Sequence, residues 1–600
     1  MLKKILLPSI LFILGYGFWV SPDFKEIAAG VSIFLFGMLF LEEGFKAFTG
    51  GVLEKLLQKT TNKTWKSLLF GVVSTTIMQS SSLVSVITIS FISAGLVTLV
   101  AGIGIIFGAN IGTTTGAWMV AAFGLKVKIS AYAMPMLVFG IVLSFQKSKY
   151  LKGIGSVLAG LGFLFLGIHY MKEGFEAFKG SFDLAALAVE GYPGLFLFAA
   201  IGAAATVVMQ SSHATLVLIL TALAAGQITY ENSLALAIGA NVGTTITAII
   251  GSLSANVQGK RLAGAHLVFN LVTGLIAIVF ISQFVWAVEW VSDHVGIAQD
   301  DYTMKLAVFH TLFNVTGVLV MVPLINRLAD YLFKVIPEKP KDLAEPLYLN
   351  EAVIEFPETV LKSLKKEVWH LFDSAFEIMA HGINLHRTEI LESPDLKKTI
   401  DEDREIHEFD LDELYESKVK ILYGAIIEFI SHAQEHIPSL YAEEMFRLRK
   451  ASLEIVECVK HIKHLRKNAT RYMLSDNEHI RVEYNHLRYQ ISMILREIYR
   501  LRNEDDFDHA LAMLEIDELK AEIKLEHKQL DGRITEVLRD ERITPLMATS
   551  LLNDFNYVDE TARNLLDTAQ ALLVSHSDLV AEAAQEVVLD EDEIDEASAA

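Results

Sequence analysis

One cysteine, Cys458, stands in 600 residues, so no disulfide can form within the chain. Such thiol usage fits a protein whose aqueous part sits in a reducing compartment. Charge is missing over long stretches. No Asp or Glu occurs between Glu54 and Glu173, and neither sign of charge occurs from Ser67 to Leu125. A soluble domain does not leave so long a run uncharged, and apolar stretches approaching the ~20 residues that cross a bilayer recur through the first half. Also absent are a P-loop, a nucleophile motif, a metal-protease helix and a Gly-rich nucleotide-binding fold, so no enzymatic activity is expected.

The charge that is present divides the chain in two. Residues 1–337 carry 20 Lys and Arg against 15 Asp and Glu, whereas residues 338–600 carry 31 against 57. The first part is therefore at net +5 and the second at −26. The seam falls near Pro337–Pro346. An integral membrane domain followed by a large acidic aqueous domain is implied, and the negative charge argues against nucleic acid as a partner. Lys3-Lys4 and the apolar run Ile5 to Val20 read as an uncleaved first span, because no obvious small-x-small cleavage site precedes Pro22 and more membrane segments follow.

Further spans are predicted over 27–41, 83–100, 101–122, 129–145, 154–171, 214–230, 233–252, 264–288 and 305–326. The stretches 68–82 and 195–213 read as partial, re-entrant helices. Lys3, Lys4, Lys46, Lys55, Lys59, Lys63, Lys66, Lys147, Lys149, Lys152, Arg327 and Lys334 sort to one side as inner-loop residues. The stretch 291–302 carries Asp293, Asp300 and Asp301 beside Trp286 and Trp290, as expected of an outer loop at an aromatic belt.

The chain also repeats itself. Gln79-Ser80-Ser81-Ser82 and Gly108-Ala109-Asn110-Ile111-Gly112-Thr113-Thr114 return as Gln210-Ser211-Ser212-His213 and Gly239-Ala240-Asn241-Val242-Gly243-Thr244-Thr245, offset by 131 residues throughout. Upstream, Glu43-Gly44-Phe45 returns as Glu173-Gly174-Phe175, offset by 130. The loop after the first of these (42–66) has five lysines against three acids, while its counterpart (172–193) has two against four. Opposite bias in equivalent loops implies inverted repeats, about 30–160 and 161–330, which in transporters meet at the bilayer midplane.

Neutral amides and hydroxyls in an apolar setting serve two kinds of solute. Their oxygens, with unwound backbone, can coordinate a desolvated sodium ion. Their N–H and O–H groups, with half-helix N-termini, can hold a phosphate-like anion. Packing explains the glycines at four-residue spacing (Gly104, Gly108, Gly112, Gly116; repeated as Ala235, Gly239, Gly243 and Thr247) better than binding does. It gives no reason to duplicate glutamine and asparagine in hydrocarbon.

Paired Gln-Ser-Ser with Gly-Ala-Asn-x-Gly-Thr-Thr resembles the type II sodium/phosphate cotransporters over about residues 30–330. The resemblance implies sodium-coupled movement of inorganic phosphate, with binding roles for Gln79, Ser80, Ser81, Ser82, Asn110, Thr113, Thr114, Gln210, Ser211, Ser212, Asn241, Thr244 and Thr245. One position departs: where the family has a third serine, this chain has His213, which could take a proton, replace a sodium ligand or fill space. A second echo, His266 to Asn270 and His310 to Asn314, sets each pair one helical turn apart. Interhelical bonding is the expected role there, outside the direct contacts. No metal is expected at these histidines.

Residues 338–586 read as a helical bundle. Leu361, Leu364, Val368, Leu371, Ala375, Ile378 and Gly382 form one seam, and Tyr484, Leu487, Ile491, Ile494, Ile498 and Leu501 another. Ser393-Pro394-Asp395 and Thr544-Pro545 read as helix starts, with a capping hydroxyl and proline in the first turn. These helices are similar to PhoU-like domains. The acid pairs with which that family can hold metal are incomplete (Glu454 with Cys458, Asn556 with Glu560), so no metal site is expected. Residues 587–600 read as an acidic disordered tail.

The fold expected is all-α: a polytopic membrane domain (1–337) of two inverted repeats with re-entrant helices, then a cytoplasmic PhoU-like bundle. The expected setting is the inner (plasma) membrane, with phosphate, sodium ions and the lipid bilayer as partners and a homodimer as the assembly the seams would allow. An exporter on the same scaffold, or a phosphate sensor, fits the same residues.

Overall fold

The structure is a computed structural model that describes residues 11–12, 14–49, 63–125, 129–179, 189, 191–253, 255–338, 345–354, 357–407, 410–438, 441–503 and 509–573. Expectations for residues 1–10, 50–62, 180–188 and 587–600 lie outside the described residues. Two compact units divide the chain, Met1–Lys339 and Pro340–Ala600. Among the described residues every regular element is helical.

The first unit runs α1 (Pro22–Thr49), α2 (Thr64–Met78), α3 (Ser81–Ser93), α4 (Leu99–Gly112), α5 (Thr114–Met119), α6 (Ile129–Ser144) and α7 (Lys149–Lys179). It continues with α8 (Gly191–Met209), α9 (Ser212–Ala224), α10 (Tyr230–Gly243), α11 (Thr245–Ser252), α12 (Val257–Val279), α13 (Ile281–Val295), α14 (Tyr302–Met321) and α15 (Ile325–Val335). Among the described residues seven stretches are long and apolar enough to cross a membrane: Pro22–Phe45, Leu99–Ala122, Tyr150–Ala177, Gly191–Met209, Tyr230–Ser252, Val257–Val279 and Tyr302–Val335. Leu39, Val138, Phe139, Leu271, Leu275 and Leu319 are exposed apolar side chains on this unit, as a lipid-facing surface requires.

The sequence repeat is a structural repeat. α2–α3–α4–α5 and α8–α9–α10–α11 follow the same order with equivalent breaks. Their close contacts recur at the same offset. A Cβ added at Gly71 would lie 2.0 Å from Ile105 O, and one at Gly202 would lie 2.2 Å from Leu236 O. Likewise Gly108 presses on Leu68 O and Gly239 on Ala199 O, at 2.0 and 1.9 Å. Backbone-to-backbone approach of this kind admits only glycine. The helices that precede each set, α1 and α7, pack Gly30 against Gly167 and Gly37 against Gly160. Residue numbers rise on one helix as they fall on the other, so α1 and α7 run antiparallel.

Some helices end where hydropathy alone does not show it. The expected spans 83–100 and 214–230 are instead α3 and α9, each followed by a left-handed glycine, Gly95 (φ +66°) and Gly226 (φ +67°). Thr98 and Thr229 then cap α4 and α10, accepting from Ala101 N and Asn232 N. The expected span 264–288 is broken at Phe280, which separates α12 from α13.

The second unit contains α16 (Pro357–Gly382), α17 (Arg387–Glu392), α18 (Leu396–Glu402), α19 (Leu411–Leu414) and α20 (Lys420–Gln434). After these come α21 (Ala442–Met473), α22 (Glu478–Arg502), α23 (His509–Arg539) and α24 (Pro545–Leu573). Both predicted seams are in its core: Leu364, Val368, Leu371, Ala375 and Ile378 are buried, as are Tyr484, Leu487, Ile491, Ile494, Ile498 and Leu501. Thr544 caps α24 through Met547 N. At the other predicted start Asp395 is the cap, accepting from Lys398 N, and Ser393 ends α17. A carboxylate at that position takes the N–H because Pro394 has already turned the chain.

Two buried charged groups in this unit, Arg488 and Asp554, are satisfied by several partners each. Arg488 donates to Ile383 O at 2.8 Å and to Asn384 O at 3.2 Å, and ion-pairs with Asp403. Asp554 accepts from Tyr484 Oη at 2.6 Å and from Asn468 Nδ2 at 2.8 Å. Burial still raises the Asp554 carboxyl above its usual range, and raises Glu454 in the same way.

Candidate functional site in the first unit

Each repeat builds its corner from the same backbone. Gln79 ends α2 in the left-handed conformation (φ 52°, ψ 23°), and Gln210 ends α8 at φ 53°. A non-glycine residue held there costs about 1–2 kcal/mol, so two such corners at equivalent positions mark stored strain of the kind found at ligand sites. The next residue is extended and caps the following helix: Ser80 Oγ accepts from Leu83 N at 3.2 Å and Ser211 Oγ from Ala214 N at 3.1 Å. Ser81 and Ser212 then open α3 and α9. Each glutamine-serine corner thus sits at the positive end of a half-helix.

The asparagine-threonine segments make the second set of breaks. Thr113, Thr114 and Thr115 turn their hydroxyls to carbonyls three residues back, Asn110 O (2.6 Å), Ile111 O (2.8 Å) and Gly112 O (2.8 Å). In the second repeat Thr245 does the same to Val242 O at 2.8 Å, and Thr244 bonds Ala240 O at 3.1 Å. These bonds compete with the helical ladder where α4 gives way to α5 and α10 to α11.

The two repeats meet at these breaks. His213 Nδ1 lies 3.4 Å from Gln79 O, joining the second corner to the first. Ser82 Oγ accepts from Thr247 Oγ1 of α11 at 3.1 Å. Within the first repeat, Gln79 Nε2 donates to Thr76 O at 2.6 Å and Thr115 Oγ1 at 3.1 Å. The second corner is backed by α1, through Met38 Sδ at 3.8 Å from Ser211 Oγ and the Phe34 ring 5.7 Å from His213.

Asn241 anchors the C-terminal helices of the unit. Its Nδ2 donates to Asn314 Oδ1 at 2.9 Å, its carbonyl accepts from Asn270 Nδ2 at 3.0 Å, and His310 Nε2 lies 3.4 Å from its Oδ1. Asn270, His310 and Asn314 therefore join α12 and α14 to α10, and His266 is buried. In the first repeat Asn110 Nδ2 bonds only Ile106 O of its own helix, at 2.9 Å. Among the described residues, no ionisable group other than histidine takes part in these contacts.

Sequence reasoning missed Thr115, Gly116, Thr247, Met38 and the bond from Trp118 Nε1 to Thr311 Oγ1, 2.9 Å. Gly116 and Thr247 were within reach as equivalent positions of the glycine stripe. What the stripe conceals is that Gly116 faces His213 and Gln79, while Gly108 and Gly112 face α2.

This arrangement, two polar corners set in a bundle of apolar helices, is that of a multi-pass membrane protein. The Na+/Pi-cotransporter family matches residues 33–173 and 194–294. Both matched stretches lie within the first unit, and together they cover 242 of the 600 residues. A candidate inorganic phosphate export protein, YjbB of Escherichia coli (strain K12), is 25% identical over 363 residues, 60% of this chain and 64% of the relative. The uncharacterized protein YqeW of Bacillus subtilis (strain 168) is 29% identical over 318 residues, 52% of this chain and 98% of the relative. This chain thus spans under two thirds of the YjbB relative's length. No solved structure matches the chain.

Proposed function

We propose that this protein carries inorganic phosphate across the inner membrane, coupled to sodium, through a site formed where the two repeats meet. The observation that carries this reading is the pair of left-handed Gln-Ser corners brought together by the His213–Gln79 contact. A phosphate oxygen there meets capped half-helix N-termini and hydroxyl donors, and sodium meets hydroxyl and amide oxygens. The residues bound to solute are Gln79, Ser80, Ser81, Ser82, Asn110, Thr113, Thr114, Gln210, Ser211, Ser212, Asn241, Thr244 and Thr245. Antiparallel packing of the equivalent helices α1 and α7 supports inverted repeats, since equivalent elements of parallel repeats would not run in opposite directions.

Asn241, bonded to Asn314 and Asn270, also fixes the position of α10, and Gln79 and Ser82 lie where the repeats touch. The second unit, which resembles PhoU-like domains, regulates flux from the cytoplasmic side. Export is the second reading, favoured by the name of the YjbB relative. The same site serves either direction, because the net direction follows from the gradients imposed. The test is Gln79→Ala and Gln210→Ala, assayed for sodium-dependent phosphate flux at matched expression. Both variants should lose flux; near-normal transport by both returns the glutamines to a packing role.

A further inference from the structure

The two halves of the site share one plan but differ at the contact that joins each corner to the other repeat. Position 82 of the first repeat touches position 247 of the second, and position 213 of the second touches position 116 of the first; both positions shift by the same 131 residues. In one half the contact is hydroxyl to hydroxyl, Ser82 with Thr247. In the other it is imidazole over a bare backbone. A Cβ at Gly116 would fall 2.2 Å from His213 Cε1 and 2.6 Å from Nε2, with Gln79 Oε1 at 2.9 Å. Gly116 is thus the space that His213 occupies. The large-for-small exchange at 213 is matched by a small-for-large exchange at 116.

The ring's tautomer follows from its partner. Nδ1 faces Gln79 O, and a carbonyl oxygen only accepts, so Nδ1 carries the proton and Nε2 presents a lone pair. Nε2 is buried with no hydrogen-bond partner, and the residue is 9% exposed. Beside it, Gln79 Oε1 is another acceptor, since the amide's Nε2 is spent on Thr76 O and Thr115 Oγ1. Both acceptors lie beside Gly116, and the buried Nε2 has no donor. A sodium ion prefers oxygen to an imidazole nitrogen. A P–OH group supplies a proton to either acceptor.

We propose that His213, housed by Gly116, is a specificity-determining residue that accepts a hydrogen bond from the P–OH of hydrogen phosphate and so rejects fully deprotonated oxyanions such as sulfate. The inference rests on the phosphate reading above and adds the selectivity of that site. Sulfate at neutral pH has no proton to give, and its oxygen would face a lone pair. The hydroxyls of the other half rotate to donate or accept, so they do not discriminate. An acceptor left facing an oxyanion oxygen loses its hydrogen bond and is desolvated, which weakens binding about tenfold or more.

The test uses the full-length purified protein in proteoliposomes, with labelled phosphate displaced by arsenate or by sulfate. Arsenate, which keeps an As–OH, should compete like phosphate; sulfate should compete at least about tenfold less well. The double variant His213→Ser/Gly116→Thr gives the second half the hydroxyl pair of the first. Sulfate should then compete within a few-fold of arsenate. A folded double variant with the wild-type sulfate-to-arsenate ratio overturns the proposal, because a space-filling role predicts no change. Equal competition by sulfate and arsenate in the wild type overturns it without any variant. A wild type that binds phosphate, arsenate and sulfate alike weakly or not at all overturns the phosphate reading itself, and this inference with it.

Discussion

Gln79→Gly separates the work of the corner from its cost. Gln79 sits at φ 52°, and glycine adopts that backbone freely, so the substitution relieves about 1–2 kcal/mol of strain. It also removes the bonds from Nε2 to Thr76 O and Thr115 Oγ1, at roughly 1 kcal/mol each. The two effects nearly cancel, and the glycine variant should unfold within about 1 kcal/mol of the wild type. Gln79→Ala loses the same bonds while keeping the strained backbone, so it should be less stable than Gln79→Gly by about 1 kcal/mol. Thermal unfolding in detergent gives the order wild type near Gly, then Ala. Phosphate flux should fall to background in both. If Gln79→Gly is as unstable as Gln79→Ala, the left-handed corner is not strained as argued. If it transports normally, the amide is not a solute ligand.

Single cysteines at Lys63 and Val189, in a Cys458→Ser background, should react with an impermeant thiol reagent from opposite sides of the membrane; labelling of both from the same side contradicts inverted repeats. In the second unit Asp554 and Glu454 are held above their usual range by burial, so the folded state keeps protons that the unfolded state releases. Their contribution is therefore largest below the unfolded carboxylate range and is lost as pH rises through the raised folded values. Asp554→Asn should flatten its share of that slope in a pH series of melting temperatures, and an unchanged slope refutes it. Removing residues 345–600 should leave a membrane unit that inserts and carries phosphate but no longer responds to cytoplasmic phosphate. A folded, monodisperse truncation without flux would instead put the second unit inside the transport machinery.

The repeat, the helical class and both bundle seams were legible because they are periodic: an offset of 131 residues is visible by inspection, and burial of Leu364, Val368, Leu487 and Ile491 follows from spacings of three and four. Helix ends were less legible. Hydropathy carries on through Gly95, Gly226 and Phe280, where the backbone turns for local conformational reasons that an apolar window averages away. At Ser393 the hydroxyl reads as a cap, yet Asp395, two residues on, supplies it. In the candidate site, sequence named the polar residues but not their pairing. That Ser82 meets Thr247 and His213 meets Gly116 depends on how one repeat is laid against the other, and no local pattern encodes it. Gly116 is the clearest case: it sits in a packing stripe, and its function is the space it leaves.

The central claim is sodium-coupled phosphate movement through the paired corners, and labelled phosphate flux in proteoliposomes tests it most directly. With phosphate equal on both sides, a sodium gradient in either direction should drive net phosphate movement down that gradient, and dissipating the gradient should stop it. Phosphate flux that is robust yet indifferent to sodium in both directions contradicts the account.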